Sequence, residues 1–256
     1  MLVDDRKIVV MGVANKWSIA WGISKKLLDN DATVIFTYLN ERSKRSIKKL
    51  VESEGYKNYS LVKLDVTKDE DYENAFETIK EEYTVIDGLV HCVAHAKKEE
   101  LEGEFVNTSR EGFLMAHDIS AYSLVKASKY ASEMMKDRGE IICLTYLGGE
   151  RVVLNYNVMG VAKASLEASV KYLAHDLGKR NIRVNAISAG PIKTLAAKGI
   201  GEFNKLLNGF LEKAPMERLI DHEDLGNTAM YLLSDLSSGV TGETIHVDCG
   251  YSILGY

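Results

Sequence analysis

The feature that most constrains the fold of this chain is the regular alternation of short apolar runs with segments of helical periodicity. Seven runs are rich in β-branched residues, and helix-like segments separate most of them. Because the apolar character of these runs is nearly unbroken, we expect parallel strands that are buried on both faces. The pattern therefore predicts one α/β domain over residues 1–256, a doubly wound parallel sheet with helices on both faces.

The runs define the expected strands, and the periodic segments define the expected helices. The strands are Lys7–Met11, Thr33–Tyr38, Ser60–Asp65, Gly88–Val93, Glu140–Tyr146, Asn181–Ser188 and Glu243–Val247. The helices are Ser18–Asn30, Arg42–Glu54, Asp69–Tyr83, Ser109–Lys136, Tyr156–Gly178 and Asp221–Leu233. In open parallel sheets ligands bind at the carboxyl ends of the strands, and we expect the functional residues there.

Composition limits the partners that the chain is expected to have. Hydrophobic residues make up 46% of the 256 residues and charged residues 27%, as in ordinary globular domains. Since the net charge is −5 and no apolar run reaches the length of a membrane span, we expect neither a nucleic-acid nor a membrane partner. No signal peptide is recognisable, and the three cysteines show no paired spacing, which predicts a cytoplasmic protein with buried thiols and no metal site.

The turn after the first expected strand meets the physical requirements of a phosphate-binding loop. Gly12 permits a tight turn, Ser18 is suited to cap the next helix, and Gly22 is expected to let that helix pack close to the sheet. Free N–H groups at such a helix start bind the pyrophosphate in Rossmann-like folds. Two glycines of the GxGxxG pattern are missing, so an ordinary capped turn is the alternative interpretation.

The strongest candidate for chemistry is a tyrosine followed by a lysine on one expected helix. Tyr156 and Lys163 are two helical turns apart and therefore share one helix face. An ammonium close to a phenol favours the phenol as a hydrogen-bond or proton donor. A second tyrosine, Tyr146, precedes the pair in the stretch Thr145–Gly149. Without context, a packed tyrosine and a surface lysine explain the pair equally well.

The residues around this pair resemble those of one enzyme family. The segment Asn155–Ser165 has Tyr-x6-Lys spacing, with Met159 at the position where ordinary short-chain dehydrogenases carry their tyrosine. This pattern is similar to that of the enoyl-acyl-carrier-protein reductases of bacterial type II fatty-acid synthesis, within the short-chain dehydrogenase/reductase superfamily. The resemblance covers nearly the whole chain and includes Tyr146, Arg183–Thr194, Tyr231–Asp235 and Gly239–Glu243.

The resemblance implies roles for individual residues. Tyr156 would hydrogen-bond the thioester carbonyl, Lys163 would bind the nicotinamide ribose, and Tyr146 would shape the acyl pocket. The implied cofactor contacts are Gly12, Ala14, Ser18, Ile19, Asp65, Val66, Ala94, Lys163, Ile192 and Thr194. The implied substrate contacts are Ala96, Tyr146, Tyr156, Met159, Ala197 and Phe203, with His95, Leu101 and Ile200 on the same side.

Two of these residues have an alternative explanation in the sequence alone. Asp65 is implied to lie beside the adenine, but an aspartate at a strand end is as readily a turn residue. His95 follows a strand close to the expected cofactor, and a general-acid role would suit its chemistry. The family pattern needs no histidine there, so we expect only its backbone to matter.

The resemblance implies a nicotinamide cofactor and leaves the choice between NADH and NADPH to a few residues. Family members that use NADPH carry basic residues after the second strand, and the corresponding residues here, Leu39 and Asn40, are neutral. NADH is therefore favoured. NADPH is the alternative, because Arg42 and Lys44 lie close by in the sequence.

The segment Gly190–Pro215 is a candidate helical lid over the substrate, at about residues 194–213, with a plain pair of surface helices as the alternative. Lys193, Lys198 and Lys205 in this segment would suit docking of an acidic acyl carrier protein, although a solvated helix face explains them as well. A homotetramer is implied by the resemblance alone.

Taken together, these residues predict hydride transfer from a nicotinamide cofactor to the β-carbon of a trans-2-enoyl thioester. A second interpretation is a ketoacyl or sugar dehydrogenase with displaced catalytic residues, against which Met159 counts. A third is a nucleotide-sensing regulator, which would have no need of both Tyr156 and Lys163.

Overall fold

A parallel seven-stranded sheet forms the centre of the computed structural model, which describes residues 2–192 and 203–255. Its strands are β1 (Lys7–Met11), β2 (Thr33–Tyr38), β3 (Tyr59–Lys63), β4 (Gly88–His91), β5 (Gly139–Thr145), β6 (Ile182–Ala189) and β7 (Thr244–Val247). The spatial order is β3-β2-β1-β4-β5-β6-β7, and each neighbouring pair is parallel. The predicted doubly wound sheet is confirmed.

Helices link the strands and cover the sheet. They are α1 (Ile19–Leu28), α2 (Glu41–Ser53), α3 (Asp69–Tyr83), α4 (Arg110–His117), α5 (Ser123–Met134), α6 (Asn157–Gly178), α7 (Phe203–Lys213) and α8 (His222–Leu232). The segment predicted as one helix over Ser109–Lys136 consists of α4 and α5, joined by a π-helical turn at Asp118–Tyr122. Within the described ranges, none of the helices has the length and apolar character of a membrane span.

The core has two apolar layers because successive residues of each strand point to opposite faces of the sheet. In β1, Ile8 and Val10 contribute to one layer, and Val9 and Met11 contribute to the other. The first layer is completed mainly by residues of α1, α2 and α8, and the second mainly by residues of α3, α5 and α6. This burial on both sides explains why the strands read as nearly continuous apolar runs.

The strand order places a crevice at the carboxyl ends of β1 and β4. The chain builds β2 and β3 on one side of β1 and then crosses to β4 on the other side. Met11 and His91, the last residues of β1 and β4, are paired across this switch point. Connections that diverge in this way leave space for a ligand between them.

A buried ionic network holds the opposite end of the sheet. The Arg6 guanidinium donates to Glu140 Oε2 at 2.9 Å and to the carbonyl oxygen of Leu233 at 2.7 Å. Arg183 Nη2 lies 3.4 Å from Glu140 Oε1. These residues tie β1, β5 and β6 together near their amino-terminal ends, away from the crevice.

Candidate active site

The loop after β1 begins with a close contact between two strand ends. Gly12 has a φ angle of +96°, and a Cβ atom there would lie 2.2 Å from the carbonyl oxygen of Cys92, the residue that follows β4. A glycine satisfies both the left-handed backbone and this close approach. The loop therefore starts at the floor of the crevice, where a phosphate-binding turn is expected.

The Ser18 side chain organises this loop and does not cap helix α1. Its Oγ accepts hydrogen bonds from the backbone N–H groups of Ala14 at 3.1 Å and Asn15 at 3.0 Å. Ser18 occupies the N-cap position with extended backbone, but its side chain makes no capping bond, so the predicted capping role is wrong. Because the Ser18 hydroxyl binds the loop backbone, it does not bind the N–H groups at the start of α1. Uncapped N–H groups are what anion binding at a helix start requires.

Gly22 packs α1 against another helix and not against the sheet, contrary to expectation. A Cβ atom at Gly22 would lie 2.5 Å from Cδ2 of His222 on α8, and one at Gly226 would lie 3.0 Å from Cβ of Lys26 on α1. The sheet-facing side of α1 is already filled by larger apolar side chains such as Ile23. The two glycines thus let α1 and α8 approach closely. This helix pair supports the loop, since His222 Nε2 lies 3.2 Å from the carbonyl oxygen of Trp17.

The tyrosine and the lysine both line the crevice, near the start of α6 and on the side formed by β5. Tyr156 directly precedes the helix, and Lys163 lies inside it with 6% of its surface exposed. The Lys163 Nζ donates to the carbonyl oxygen of Leu144 at 2.6 Å, near the end of β5. The Tyr146 and Tyr156 rings contact edge to face, with centroids 5.1 Å apart and an interplanar angle of 75°.

Burial of these groups determines their protonation at neutral pH. It raises the pKa of Tyr156 above that of an ordinary phenol and raises the pKa of Tyr146 to about 12. Both phenols therefore keep their protons at neutral pH. Burial also lowers the pKa of the Lys163 ammonium, while the Cys143 and Cys92 thiols and the Glu167 carboxyl act in the opposite direction. The site combines a protonated phenol with a partly desolvated cation.

These side chains line one cleft of about 570 Å³ at the carboxyl ends of the strands. The predicted residues that line it are Gly12, Ala14, Ser18, Ile19, Ala94, His95, Ala96, Leu101, Tyr146, Tyr156, Met159, Lys163 and Ile192. They come from five separate stretches of the chain. Their convergence supports a single site for cofactor and substrate.

The cleft also has lining residues that the sequence reasoning missed. They are Asn15, Ala20, Cys92, Leu144, Thr145, Val153, Leu154, Asn155, Ala189, Gly190 and Pro191. Most of them adjoin a strand end or a residue that was already predicted to belong to the site. Their position next to such residues could have identified them from the sequence. Leu154 is 81% exposed although it is apolar.

Asp65 and Val66 are not among the residues that line this cleft. The Asp65 carboxylate accepts hydrogen bonds from the Thr67 backbone at 3.1 Å and from the Thr67 hydroxyl at 2.7 Å. Partial burial acts to raise the pKa of Asp65, but these bonds and the Lys68 charge outweigh it and hold the pKa below its usual value. Asp65 thus has the turn role that the sequence left open, and its contact with adenine stays a prediction.

The backbone of His95 is anchored by hydrogen bonds, and the expectation that only its backbone matters stays a prediction. Its N–H donates to Ser120 Oγ at 3.0 Å, and its carbonyl oxygen accepts from the same hydroxyl at 3.3 Å. Ser120 belongs to the π-helical turn between α4 and α5. The turn therefore fixes the path of the chain along one wall of the cleft.

Several predicted residues lie outside the described part of the chain. These are Thr194, Ala197 and Ile200, together with Lys193 and Lys198, while Phe203 and Lys205 lie on α7 with side chains that are not described. Of the predicted lid at 194–213, the structure therefore describes only the part that forms α7. The assignments to these residues stay predictions.

Comparison with known proteins places this arrangement in a family. The model of the enoyl-(acyl carrier protein) reductase family matches residues 12–252. The chain is 56% identical to the NADH-dependent enoyl-[acyl-carrier-protein] reductase FabI of Bacillus cereus over 99% of each chain. It is 54% identical to the NADPH-dependent FabI of Staphylococcus aureus over 98% of each chain.

A solved structure agrees with this assignment. The crystal structure of the Bacillus cereus enoyl-acyl carrier protein reductase with NADP+ and indole naphthyridinone superposes with a TM-score of 0.97 at 55% sequence identity. The match covers 100% of this chain and 99% of the other. Sequence, fold and cleft therefore agree, and the chain belongs to the enoyl-acyl-carrier-protein reductase family.

Proposed function

We propose that this protein reduces the double bond of a trans-2-enoyl thioester carried on acyl carrier protein, with a nicotinamide dinucleotide as the hydride donor. The observation that carries the proposal is the meeting of Tyr146, Tyr156 and the buried Lys163 ammonium on one cleft. The reductase names of its relatives support the same reaction.

The residues of the cleft fit a dinucleotide. Gly12 lets the loop turn tightly against the Cys92 carbonyl oxygen at the end of β4, and the start of α1 provides backbone N–H groups for a pyrophosphate. The Lys163 ammonium has three N–H donors, and the Leu144 carbonyl accepts one of them. Among the described residues no other acceptor takes the remaining two, and we assign them to ribose hydroxyls. When it is bound, the cofactor supplies the hydride that adds to the β-carbon of the substrate.

Tyr156 provides the hydrogen bond that the substrate needs. As hydride adds to the β-carbon, negative charge develops on the thioester carbonyl oxygen. A fixed phenol donor aimed at that oxygen stabilises the charge in the manner of an oxyanion hole. The Tyr146 ring holds the Tyr156 ring by its edge-to-face contact, and Met159 supplies apolar surface to the same cleft.

NADH is the preferred cofactor in this proposal. Leu39 is neutral and 52% exposed, and the Asn40 side chain accepts hydrogen bonds from the backbone of Arg42 and Ser43, which caps α2. Neither residue supplies a cation for the 2′-phosphate of NADPH. The relative from Bacillus cereus carries NADH in its name, and the relative from Staphylococcus aureus carries NADPH.

The proposal is tested by spectrophotometric reduction of crotonyl thioester with NADH and, separately, with NADPH. We expect oxidation of both cofactors, with the higher kcat/KM for NADH. Acetoacetyl thioester serves as the comparison substrate. Its reduction in preference to crotonyl thioester would favour a ketoacyl reductase, and no oxidation of either cofactor would favour a nucleotide sensor.

We further propose a cytoplasmic homotetramer. Several apolar side chains are exposed on α4, on the π-helical turn that follows it and on α6. They include Leu114 on α4, Tyr122 in the turn, and Val161 and Tyr172 on α6. Contacts between copies would remove these side chains from water. Light scattering on the purified protein is expected to give the mass of four chains. A mass of one chain would contradict the proposal.

A further inference from the structure

A carboxyl group lies beside the proposed catalytic pair and has no role in the chemistry described so far. Glu167 is on α6 one helical turn after Lys163 and is half-buried. Its Oε1 accepts a hydrogen bond from Thr145 Oγ1 at 2.6 Å. Thr145 ends β5 and directly precedes Tyr146. Glu167 thus reaches from the helix of the lysine to the strand end that carries the first tyrosine.

This bond is one half of a two-point attachment. Lys163 Nζ holds the Leu144 carbonyl oxygen, and Glu167 holds the hydroxyl of the next residue, Thr145. Consecutive residues of β5 are therefore bound by α6 residues one turn apart. Gly149 completes the attachment, because a Cβ atom there would lie 2.6 Å from Glu167 Oε1. The turn after Tyr146 rests directly on the Glu167 carboxyl.

The charge of Glu167 acts on both members of the catalytic pair. Lys163 is faced by the thiols of Cys92 and Cys143 and by the neutral, buried imidazole of His91, and Glu167 is the carboxylate that acts on it among the described residues. The same carboxylate raises the pKa of Tyr156, with burial as the larger cause.

Glu167 itself is faced by charged groups from other elements. Burial raises its pKa, the Thr145 hydrogen bond lowers it, Glu150 raises it, and His246 and Lys163 lower it. Glu150 and His246 form their own pair, with an Oε1–Nε2 distance of 2.7 Å. No arginine is among the groups that act on Glu167 in the described part of the chain, and the basic groups that lower its pKa are His246 and Lys163.

We infer that Glu167 is a positioning residue for the reductase reaction: it holds the Tyr146 strand end on α6 through Thr145, and it places a carboxyl group one helical turn from Lys163. The inference rests on the proposed roles of Tyr156 and Lys163. It adds a residue that sets the geometry of the strand end beside them.

The test is the pH profile of kcat for crotonyl thioester reduction in Glu167→Gln. The amide keeps the size of the side chain and an acceptor for Thr145, so the fold and the attachment are retained. We expect kcat to fall about tenfold, the change that corresponds to about one pKa unit of lost electrostatic interaction. We expect the alkaline limb of the profile to move by roughly one unit to lower pH, because loss of the neighbouring negative charge favours deprotonation of Lys163 and Tyr156.

Three variants separate the charge from the attachment. Glu167→Asp retains the charge and is expected to restore the alkaline limb. Thr145→Val removes the hydrogen bond and is expected to lower kcat while the limb stays in place. Asp176→Asn, on the exposed side of the same helix, is the matched control and is expected to change neither quantity.

The outcomes distinguish this inference from the proposed function. If Glu167→Gln has the kcat and the pH profile of the wild-type protein, the role of Glu167 is overturned. The proposed function is still upheld in that case, provided that the wild-type protein reduces crotonyl thioester. Absence of crotonyl reduction in the wild-type protein would overturn the function itself. If Glu167→Gln does not fold, the pH profiles of Glu167→Asp and Thr145→Val test the inference in its place. An alkaline limb displaced equally from the wild-type position in both variants would overturn the role of the Glu167 charge.

Discussion

At the scale of single residues, Tyr156 is the side chain on which the proposed chemistry depends most. In Tyr156→Phe the ring and its contact with Tyr146 are kept and the donor is lost. We expect kcat to fall about 100- to 1000-fold, because a single oxyanion donor contributes on this order. Stopped-flow single turnovers measure the effect, and cofactor affinity is expected to stay unchanged. Tyr172→Phe, at a tyrosine that is 76% exposed on the same helix, is the control. Wild-type turnover in Tyr156→Phe would remove the phenol from the mechanism.

Lys163 is expected to act chiefly on cofactor binding. Lys163→Met fills a similar volume and removes the buried ammonium that reaches the Leu144 carbonyl oxygen. We expect the Kd for NADH, measured by fluorescence titration, to rise at least about tenfold, since hydrogen bonds from charged groups are worth about 1.5–3 kcal/mol. Lys171→Met, on the exposed side of α6, is the control and leaves the Kd unchanged. An unaltered Kd in Lys163→Met would contradict the ribose contact.

Buried His91 is expected to lower the unfolding free energy of the protein at acid pH. Burial, and secondarily the Lys163 charge, lower the pKa of His91 from 6.5 to about 3. A histidine with a lowered pKa in the folded state contributes stability above pH 6.5 that is lost as the pH falls towards 3. His91→Leu is therefore expected to flatten the decline in unfolding free energy over this window, by up to about 1.4 kcal/mol per pH unit. Urea titrations at several pH values measure the slope, and exposed His175→Leu is the control. Equal slopes would contradict the prediction.

At the scale of elements, the junction between β1 and α1 depends on a single glycine. In Gly12→Ala the methyl group meets the Cys92 carbonyl oxygen, and the residue is also forced into a left-handed conformation. Gly55 has a φ of +81° with no atom within 4 Å of an added Cβ, so Gly55→Ala tests the backbone effect alone. We expect Gly55→Ala to cost about 1 kcal/mol in unfolding free energy and Gly12→Ala clearly more, with loss of NADH binding. Equal costs, together with retained binding, would mean that the close approach is unimportant.

Two elements differ from expectation for physical reasons. A π-helical turn interrupts the segment predicted as one long helix, and its Ser120 hydroxyl binds the His95 backbone. The apolar periodicity on either side of the turn is helical, and so the interruption left no clear trace in the sequence. Ser18 shows the same limit, because a serine before a helix has two sets of partners, and the loop geometry selected the backbone of Ala14 and Asn15.

At the scale of the whole molecule, stability and chemistry are placed at opposite ends of the sheet. Glu140 accepts from Arg6 and faces Arg183 at the amino-terminal end, with 5% of its side chain exposed. Glu140→Gln removes the buried counter-charge that Arg6 and Arg183 share, and we expect a loss of about 3–5 kcal/mol in unfolding free energy with kcat nearly unchanged. Asp235 pairs with Arg6 but is 69% exposed, so Asp235→Asn is expected to cost less than about 1 kcal/mol. Chemical denaturation and steady-state rates test both, and a comparable fall in kcat for Glu140→Gln would contradict the separation.

The sequence by itself determined the fold class, the strand positions to within two residues, and the tyrosine–lysine pair. Apolar periodicity is a local property, because each strand and helix must present apolar side chains to the core at its own repeat. It can therefore be recognised in the sequence without knowledge of the tertiary structure. Tyr156 and Lys163 were found for the same reason, because their spacing along one helix needs no knowledge of other elements. The resemblance of their flanks then led to the family that the comparisons show.

Only the tertiary structure decided which distant groups meet. That Gly22 faces His222, that Asp65 binds its own turn, and that Glu167 reaches Thr145 all depend on how separate elements pack. Such contacts join residues that are far apart in the chain or have several partners within reach, and local pattern does not choose among them. Burial follows from the same packing. It converts the Lys163 ammonium and the Tyr156 phenol from ordinary side chains into a desolvated pair with shifted pKa values.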